Sequence, residues 1–190
     1  MKKSTIILIA VVAIIAIVFL WGIGTRNSLV AQEEEVNISA SQIETQLQRR
    51  NDLIPNFVAT VKGYAAHEEE VYTAIADARA KLSGAIEDGD VGEISKANSA
   101  LDSALSRLLV VVENYPELKA NENFIALQDE LAGTENRINK ARQDYNEVVG
   151  TYNKAIKMFP ANIIAGMSGL EAAEYFEAEE GAEKAPVVEF

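Results

Sequence analysis

Apolar and polar residues follow one another along most of this chain with the period of an α-helix. From Val36 onward the apolar positions recur every three or four residues, and the same spacing returns in three later segments. This spacing places the apolar side chains on one face of a helix, and that face must be buried against another element. No strand-like alternation of any length interrupts the pattern. The sequence therefore predicts an all-α fold.

Four main helices are expected from the apolar spacing. They cover approximately residues 27–64, 68–84, 93–115 and 122–159. Asn121 is placed to cap the last helix, and Pro160 ends it. A helix of that length extends over roughly 57 Å, at about 1.5 Å per residue, so its apolar stripe needs equally long partners. We therefore expect a long antiparallel three- or four-helix bundle with coiled-coil-like packing.

Two places leave alternatives open. Pro55 either kinks the first helix or lies in the first turn of a helix that restarts after Asn51 or Asp52. The apolar spacing passes through the proline unchanged, which favours a kink. Residues 84–92 form either a turn or a bulge within one long helix.

The N-terminal segment has the composition of a membrane span. Ile6 to Ile23 is an unbroken apolar run, and no charge lies between Lys3 and Arg26. The uncharged stretch extends over roughly 33 Å as a helix, and a bilayer core is about 30 Å thick. A cleaved signal peptide is the alternative, but its apolar core is shorter, about 7–15 residues. We therefore expect a retained anchor, continuous with the first helix.

The expected organisation has three parts. Residues 1–26 are the anchor, 27–178 the helical bundle with a short final helix from 161, and 179–190 an acidic flexible tail. Two lysines precede the span and one arginine follows it, so the positive-inside rule places the bundle outside the cytoplasm, with a cytoplasmic location left open. The expected location is the cell (inner) membrane, crossed once.

Charge and composition exclude several classes of function. The net charge is −12, which opposes nucleic-acid binding and is compatible with a basic partner. The chain lacks cysteine, so disulfides, thiolate catalysis and iron–sulfur clusters are excluded. His67 is the only histidine and has no second ligand at helical spacing. We expect no enzyme activity, no cofactor and no metal.

A set of polar residues near the middle of the predicted bundle is the candidate functional site. It comprises Arg49, Arg50, Asp52, Glu130, Glu135, Arg137, Arg142 and Asn146. Arg50 occupies an apolar-stripe position, and a buried guanidinium needs an acidic partner, for which Glu135 is the first candidate and Glu130 the second. These residues either fix the helix register or form a polar groove that receives a partner.

Three blocks of sequence resemble the LemA family. They are QRRNDLIPNFV at 48–58, ENYPELKA at 113–120 and LAGTENRINKARQDY at 131–145, followed by Tyr152-Asn153 and Phe159-Pro160. The resemblance covers about residues 27–180. It implies a bacterial single-pass membrane protein with a four-helix-type bundle on either side of the membrane, and it implies no defined reaction.

The sequence thus favours an interaction or scaffold protein of the bacterial envelope. Its expected partners are the lipid bilayer, through residues 6–23, and another membrane or envelope protein, with a homo-oligomer also compatible. The alternative is a signalling or regulatory accessory in which the span and the first helix act as one lever.

Overall fold

The computed structural model describes residues 3–176, and within that range the fold is all-α with no strand. It is 86% helical, which confirms the predicted fold class. The helices are α1 (Lys3–Lys62), α2 (Glu69–Asp88), α3 (Val91–Val112), α4 (Pro116–Lys119), α5 (Glu122–Lys157) and α6 (Ala161–Ser168). The acidic tail expected at 179–190 lies outside the described residues.

Helix α1 passes through Pro55 without a break, so the alternative of a restarted helix is wrong. A proline has no N–H to give to the carbonyl four residues earlier, which here belongs to Asn51. That carbonyl accepts a hydrogen bond from Arg79 Nε of α2 at 3.2 Å instead. Arg79 therefore satisfies the acceptor that Pro55 leaves free.

The N-terminal part of α1 exposes its apolar side chains. From Ile6 to Leu20 every side chain is exposed, and the segment has no buried share. Among the described residues, α1 is the one helix long and apolar enough to cross a membrane. An apolar surface of this size is not stable in water and indicates a contact with lipid or protein.

The chain forms two compact units. Among the described residues, one contains residues 3–38 and 147–173, and the other contains residues 39–146 and 174–176. In the second unit the last part of α1 packs with α2, α3 and the first part of α5. Phe57 stacks on Phe124 with ring centroids 5.2 Å apart, and Arg49 pairs with Glu130, so residue numbers rise along α1 as they fall along α5. These two helices are therefore antiparallel.

A two-residue connection joins α2 to α3, so the turn, and not the bulge, is present at this point. Gly89 ends α2 in the left-handed conformation, with φ +72°, and donates its N–H to Ala85 O at 3.1 Å. Asp90 then caps α3, because its Oδ1 accepts from Glu93 N at 2.9 Å. The predicted end of the second helix at Gly84 is wrong, since a helix tolerates an internal glycine at modest cost.

Most of the apolar residues at the three-and-four positions of the predicted helices are buried. The side chains of Leu47, Ile54, Val61, Leu82, Leu101, Leu108 and Ile138 are almost inaccessible. Tyr64 and Phe159 are exposed, because α1 and α5 end at Lys62 and Lys157 before reaching them. Tyr72, which was not assigned to the core, is buried and donates its hydroxyl to Ala65 O at 2.7 Å.

The C-terminal part of the described chain is less helical than expected. Helix α6 ends at Ser168 because Gly169 takes a left-handed conformation, with φ +70°. Residues 170–176 then have no regular secondary structure, so the final helix, predicted to reach 178, is wrong over this range. Its last two expected residues, 177 and 178, lie outside the described residues. Helix α4 is a single proline-initiated turn that the apolar spacing does not indicate.

Candidate functional site

The guanidinium of Arg50 is buried where α1, α3 and α5 meet. Arg50 is only 6% exposed, and its Nη1 donates to Asn98 Oδ1 at 3.1 Å. Nη1 also lies 3.0 Å from Glu135 Oε2, and Nη2 forms an ion pair with Asp102. The predicted Arg50–Glu135 pair is therefore present, but Asp102 is a second partner that the sequence did not indicate. Glu130 does not contact Arg50.

Each charged group in this cluster has further polar contacts. Asp102 Oδ2 accepts from Asn98 Nδ2 at 2.9 Å, and Glu135 Oε1 accepts from Asn139 Nδ2 at 3.2 Å. The two carboxylates remain partly exposed, at 19% and 33% of their side-chain surface, whereas the Arg50 side chain is 7% exposed. The cation is thus the desolvated member, and two carboxylates compensate for its burial. This arrangement links three helices at one level.

Arg49, Glu130 and Arg137 form a separate network at the surface. The carboxylate of Glu130 pairs with Arg49 and lies 3.8 Å from Arg137 Nη1. More than half of each arginine side chain is exposed. Asp52 joins neither group, since it accepts only a hydrogen bond from Gln48 at 2.9 Å within α1. Surface ion pairs of this kind add little to the stability of the fold, so these side chains could bind a partner without destabilising it.

An open groove of about 490 Å³, lined mostly by polar residues, adjoins this surface network. We call it the α1–α5 groove; its walls are Gln42, Thr45 and Gln46 on α1 and Asn136, Arg137, Lys140, Ala141 and Asp144 on α5. Gln46 Oε1 is buried and has no hydrogen-bond partner among the described residues. Arg137 belongs to both the surface network and the groove. The groove therefore offers exposed hydrogen-bond donors and acceptors, whereas Gln46 Oε1 is not accessible to a partner.

The remaining candidates, Arg142 and Asn146, hold the chain around Phe176. Asn146 pairs with both main-chain groups of Phe176, accepting from its N and donating to its O, each at 2.9 Å. The Arg142 guanidinium lies over the Phe176 ring at 4.7 Å from the centroid. Tyr145 donates its hydroxyl to Glu174 O at 2.8 Å. Burial, and secondarily the Glu174 carboxylate, raises the pKa of Tyr145, so the hydroxyl stays a neutral donor.

In the other unit, Asn153 makes the same kind of contact. Its side-chain amide accepts from Ala173 N and donates to Ala173 O, each at 2.9 Å. Asn153 is 5% exposed, so the pairing satisfies a buried amide. The sequence analysis missed this role, because an asparagine within a long helix gives no signal about a segment that returns from a distance.

Asn98 and Asp102 were also missed. They lie four residues apart on α3, beside the apolar stripe and not on it, so one helix face carries both. A polar pair bordering the stripe, opposite an arginine within a stripe, is the signal that would have found them. Within residues 3–176 no three His, Asp or Glu side chains converge as metal ligands would.

Comparison with known proteins identifies the family of this bundle. The LemA family model matches residues 39–190, which is most of the chain. The chain belongs to the LemA family. The matched region contains the Arg50 cluster, the surface network and the α1–α5 groove, so these features lie within the part of the chain that defines LemA-family membership.

Three relatives have similar sequence identities to this chain. Magnetosome protein MamQ 2 of Paramagnetospirillum magneticum is 29% identical and aligns with 85% of this chain and 68% of its own length. Magnetosome protein MamQ of Magnetospirillum gryphiswaldense is 28% identical, covering 79% and 64%. Protein LemA of Metamycoplasma hominis is 27% identical, covering 83% and 71%. These names refer to a cellular structure or to the family, and not to a reaction.

Proposed function

We propose that this LemA-family protein is a single-pass, membrane-anchored interaction protein of the bacterial envelope that receives a protein partner in the α1–α5 groove. The observation that carries the proposal is the row of polar residues along the groove beside an exposed ion-pair network. Arg137 lines the groove, and its guanidinium is engaged only by a contact with Glu130 at 3.8 Å. Gln42 and Thr45 are exposed on the α1 wall. A partner with complementary polar groups would pair with these side chains.

The exposed apolar part of α1 supports the membrane anchor. The side chains from Ile6 to Leu20 are all exposed. They lie within the uncharged stretch between Lys3 and Arg26, which as a helix extends over roughly 33 Å and can cross a bilayer core of about 30 Å. Lipid would remove this surface from water, and no polar group within the segment opposes insertion. The anchor would fix the bundle near the membrane, which raises the effective concentration of a partner in the same bilayer.

Two different roles for the polar residues follow from their exposure. The buried Arg50 cluster supports helix register, because an unpaired charge there would destabilise any slipped packing. The exposed Arg49, Glu130 and Arg137 support recognition, because their net effect on stability is small. We therefore assign the two interpretations that the sequence left open to different residues, and we propose only the exposed set for binding.

Site-specific crosslinking in native membranes tests the groove. A photoreactive residue at Gln42 is expected to give a discrete adduct with an envelope protein, identified by mass spectrometry. The control is the same residue at Ser106 of α3, an exposed position outside the groove. No adduct at Gln42, or the same adduct at both positions, would show that the groove is not the binding surface.

The side of the membrane can be tested because the chain lacks cysteine. Ser106→Cys creates a single thiol on the exposed face of α3. The charge distribution around the span predicts labelling of intact cells by a membrane-impermeant maleimide. If labelling occurs only after the cells are lysed, the bundle faces the cytoplasm and the orientation is reversed.

A second candidate role is signal transmission through α1. The unbroken helix from Lys3 to Lys62 favours it, since no loop separates the apolar segment from the bundle residues of the same helix. Inserting two glycines after Gln32 separates the two roles. A tether tolerates the insertion, whereas a lever loses its function.

A further inference from the structure

A second apolar surface lies at the junction of α5 and α6. Residues 158–170 contain no charged side chain. Several of their large apolar side chains are more than half exposed, and we call these the interface patch; they are Met158, Phe159, Ile163 and Met167. Phe159 is 79% exposed and Met167 is 82% exposed, values that are unusual for residues of this size. Packing within the bundle does not explain the interface patch.

Helix α6 lies against the end of the apolar segment of α1. A Cβ atom built at Gly22 would lie 3.5 Å from Ile164 Cδ1, in ordinary van der Waals contact. Gly22 directly follows Trp21, which is 43% exposed at the end of the uncharged run. Because Ile163 and Ile164 are adjacent, the interface patch is at the level at which α1 would leave the bilayer.

We propose that the interface patch docks on the same bilayer that α1 crosses, with its apolar side chains at the boundary between headgroups and acyl chains. The proposal rests on the membrane anchor of the proposed function and adds a second contact with lipid. Amphipathic elements of this kind lie about 5–10 Å into the boundary region. The unit that contains residues 147–173 would then contact lipid at two points.

Lipid is favoured over a protein partner by continuity and by charge. The interface patch continues the lipid-facing surface of α1 through the contact of Gly22 with Ile164. The exposed cation Lys157 directly precedes the interface patch and Lys154 lies one turn earlier on α5, where phosphate headgroups would accept their hydrogen bonds. An apolar surface without charges, preceded by lysines on its N-terminal side, is compatible with an element at a membrane surface; the exposed carboxylate that follows it belongs to Glu171, outside the interface patch.

The single tryptophan of the chain allows a direct test. The full-length protein is reconstituted in vesicles of phosphatidylcholine and phosphatidylglycerol whose acyl chains carry bromine near the headgroup, a quencher of tryptophan fluorescence. Three proteins are compared: the native chain with Trp21, the double variant Trp21→Phe/Phe159→Trp, and the control Trp21→Phe/Ile125→Trp. Ile125 is 44% exposed and belongs to the first turn of α5, at the end opposite the interface patch.

The expected result is a loss of intensity and a blue-shifted emission for tryptophan at 21 and at 159, with neither effect at 125. Quenching at 21 alone would leave the anchor in place and overturn the docking of the interface patch. Quenching at neither position would overturn the membrane anchor itself. A blue-shifted but unquenched tryptophan at 159 would show that protein, and not lipid, covers the patch, which also overturns the proposal.

A second position makes the test independent of Phe159. Trp21→Phe/Met167→Trp places the reporter on α6 itself, at a side chain exposed enough to be replaced without disturbing the core. It is expected to be quenched like tryptophan at 159. Bromine at the chain terminus should quench both less strongly than bromine near the headgroup, since the proposed depth is shallow. Equal quenching by the two lipids would contradict docking at the boundary.

Discussion

Replacing Asp102 with asparagine should destabilise the bundle, and the contacts of Arg50 with Asp102 and Glu135 allow the loss of stability to be calculated. The change removes the carboxylate that pairs with Arg50 Nη2 but keeps the size and one oxygen. Breaking a buried ion pair costs about 3–5 kcal/mol. Glu135, at 3.0 Å, still offsets part of the Arg50 charge, so we expect the free energy of unfolding to fall by about 2–3 kcal/mol.

Thermal unfolding of the full-length protein in detergent measures this loss. Circular dichroism of the helical signal should show a midpoint lower by roughly 4–12 °C, at about 2–4 °C per kcal/mol for a domain of this size. The matched control is Glu130→Gln, which also neutralises a carboxylate that pairs with arginine. Glu130 and Arg49 are 37% and 53% exposed, so the control should cost no more than about 1 kcal/mol.

The same reasoning predicts how two further variants change the midpoint of thermal unfolding. Adding Arg50→Met to Asp102→Asn should recover much of the lost midpoint, because the unpaired buried charge is removed. Glu135→Lys places a second cation beside Arg50 and should lower the midpoint or shift the helix register. The reasoning is refuted if Asp102→Asn and Glu130→Gln lower the midpoint equally, or if Glu135→Lys leaves it unchanged.

Three other changes test separate features. Gly89→Ala forces a residue with a side chain into the left-handed conformation and should lower the free energy of unfolding by about 1–2 kcal/mol. Gly84→Ala, inside α2 with open space around it, should raise the free energy of unfolding by up to about 1 kcal/mol. Urea unfolding of the two variants measures both changes. Asn146→Leu removes both hydrogen bonds to Phe176, and amide hydrogen exchange at Phe176 should become roughly tenfold faster or more, with an unchanged rate contradicting the contact. Burial, and then the Glu33 carboxylate, raises the pKa of Tyr152, so the folded state keeps this proton to a higher pH than the unfolded chain, and stability falls as the pH rises above about 10. The Tyr152→Phe variant should therefore lose less stability over that pH range, as measured by denaturant titrations. Identical pH profiles for the two proteins would contradict the assignment.

The helices were predictable because their evidence is local. The three-and-four spacing from Val36 places Leu47, Ile54 and Val61 in the core, and each is fully buried in the structure. Asn121 was expected to cap α5, and its Oδ1 accepts from Phe124 N at 3.1 Å. Each of these features depends on residues within a few turns of one another, so the sequence pattern contains the required information.

Features that depend on distant residues were only partly predictable. The rule that a buried arginine needs an acid gave Glu135 correctly, but it could not single out Asp102, since many carboxylates lie near any stripe. The path of residues 170–176 was missed for a similar reason. Side chains on α5 determine the path of this segment through hydrogen bonds to its main chain. The segment itself has no apolar spacing from which these hydrogen bonds could be predicted. The proposed partner and the side of the membrane remain predictions.

The two asparagines of α5 recognise the polypeptide backbone, and this has a consequence for sequence drift. Asn146 and Asn153 bond the amide and carbonyl groups of Phe176 and Ala173, which every residue except proline would present in the same way. Residues 171–172 and 174–175 are exposed and contribute no side chain to these contacts. Substitutions at these four positions, other than to proline, should therefore leave the path of the segment unchanged, because two amides on α5 determine it.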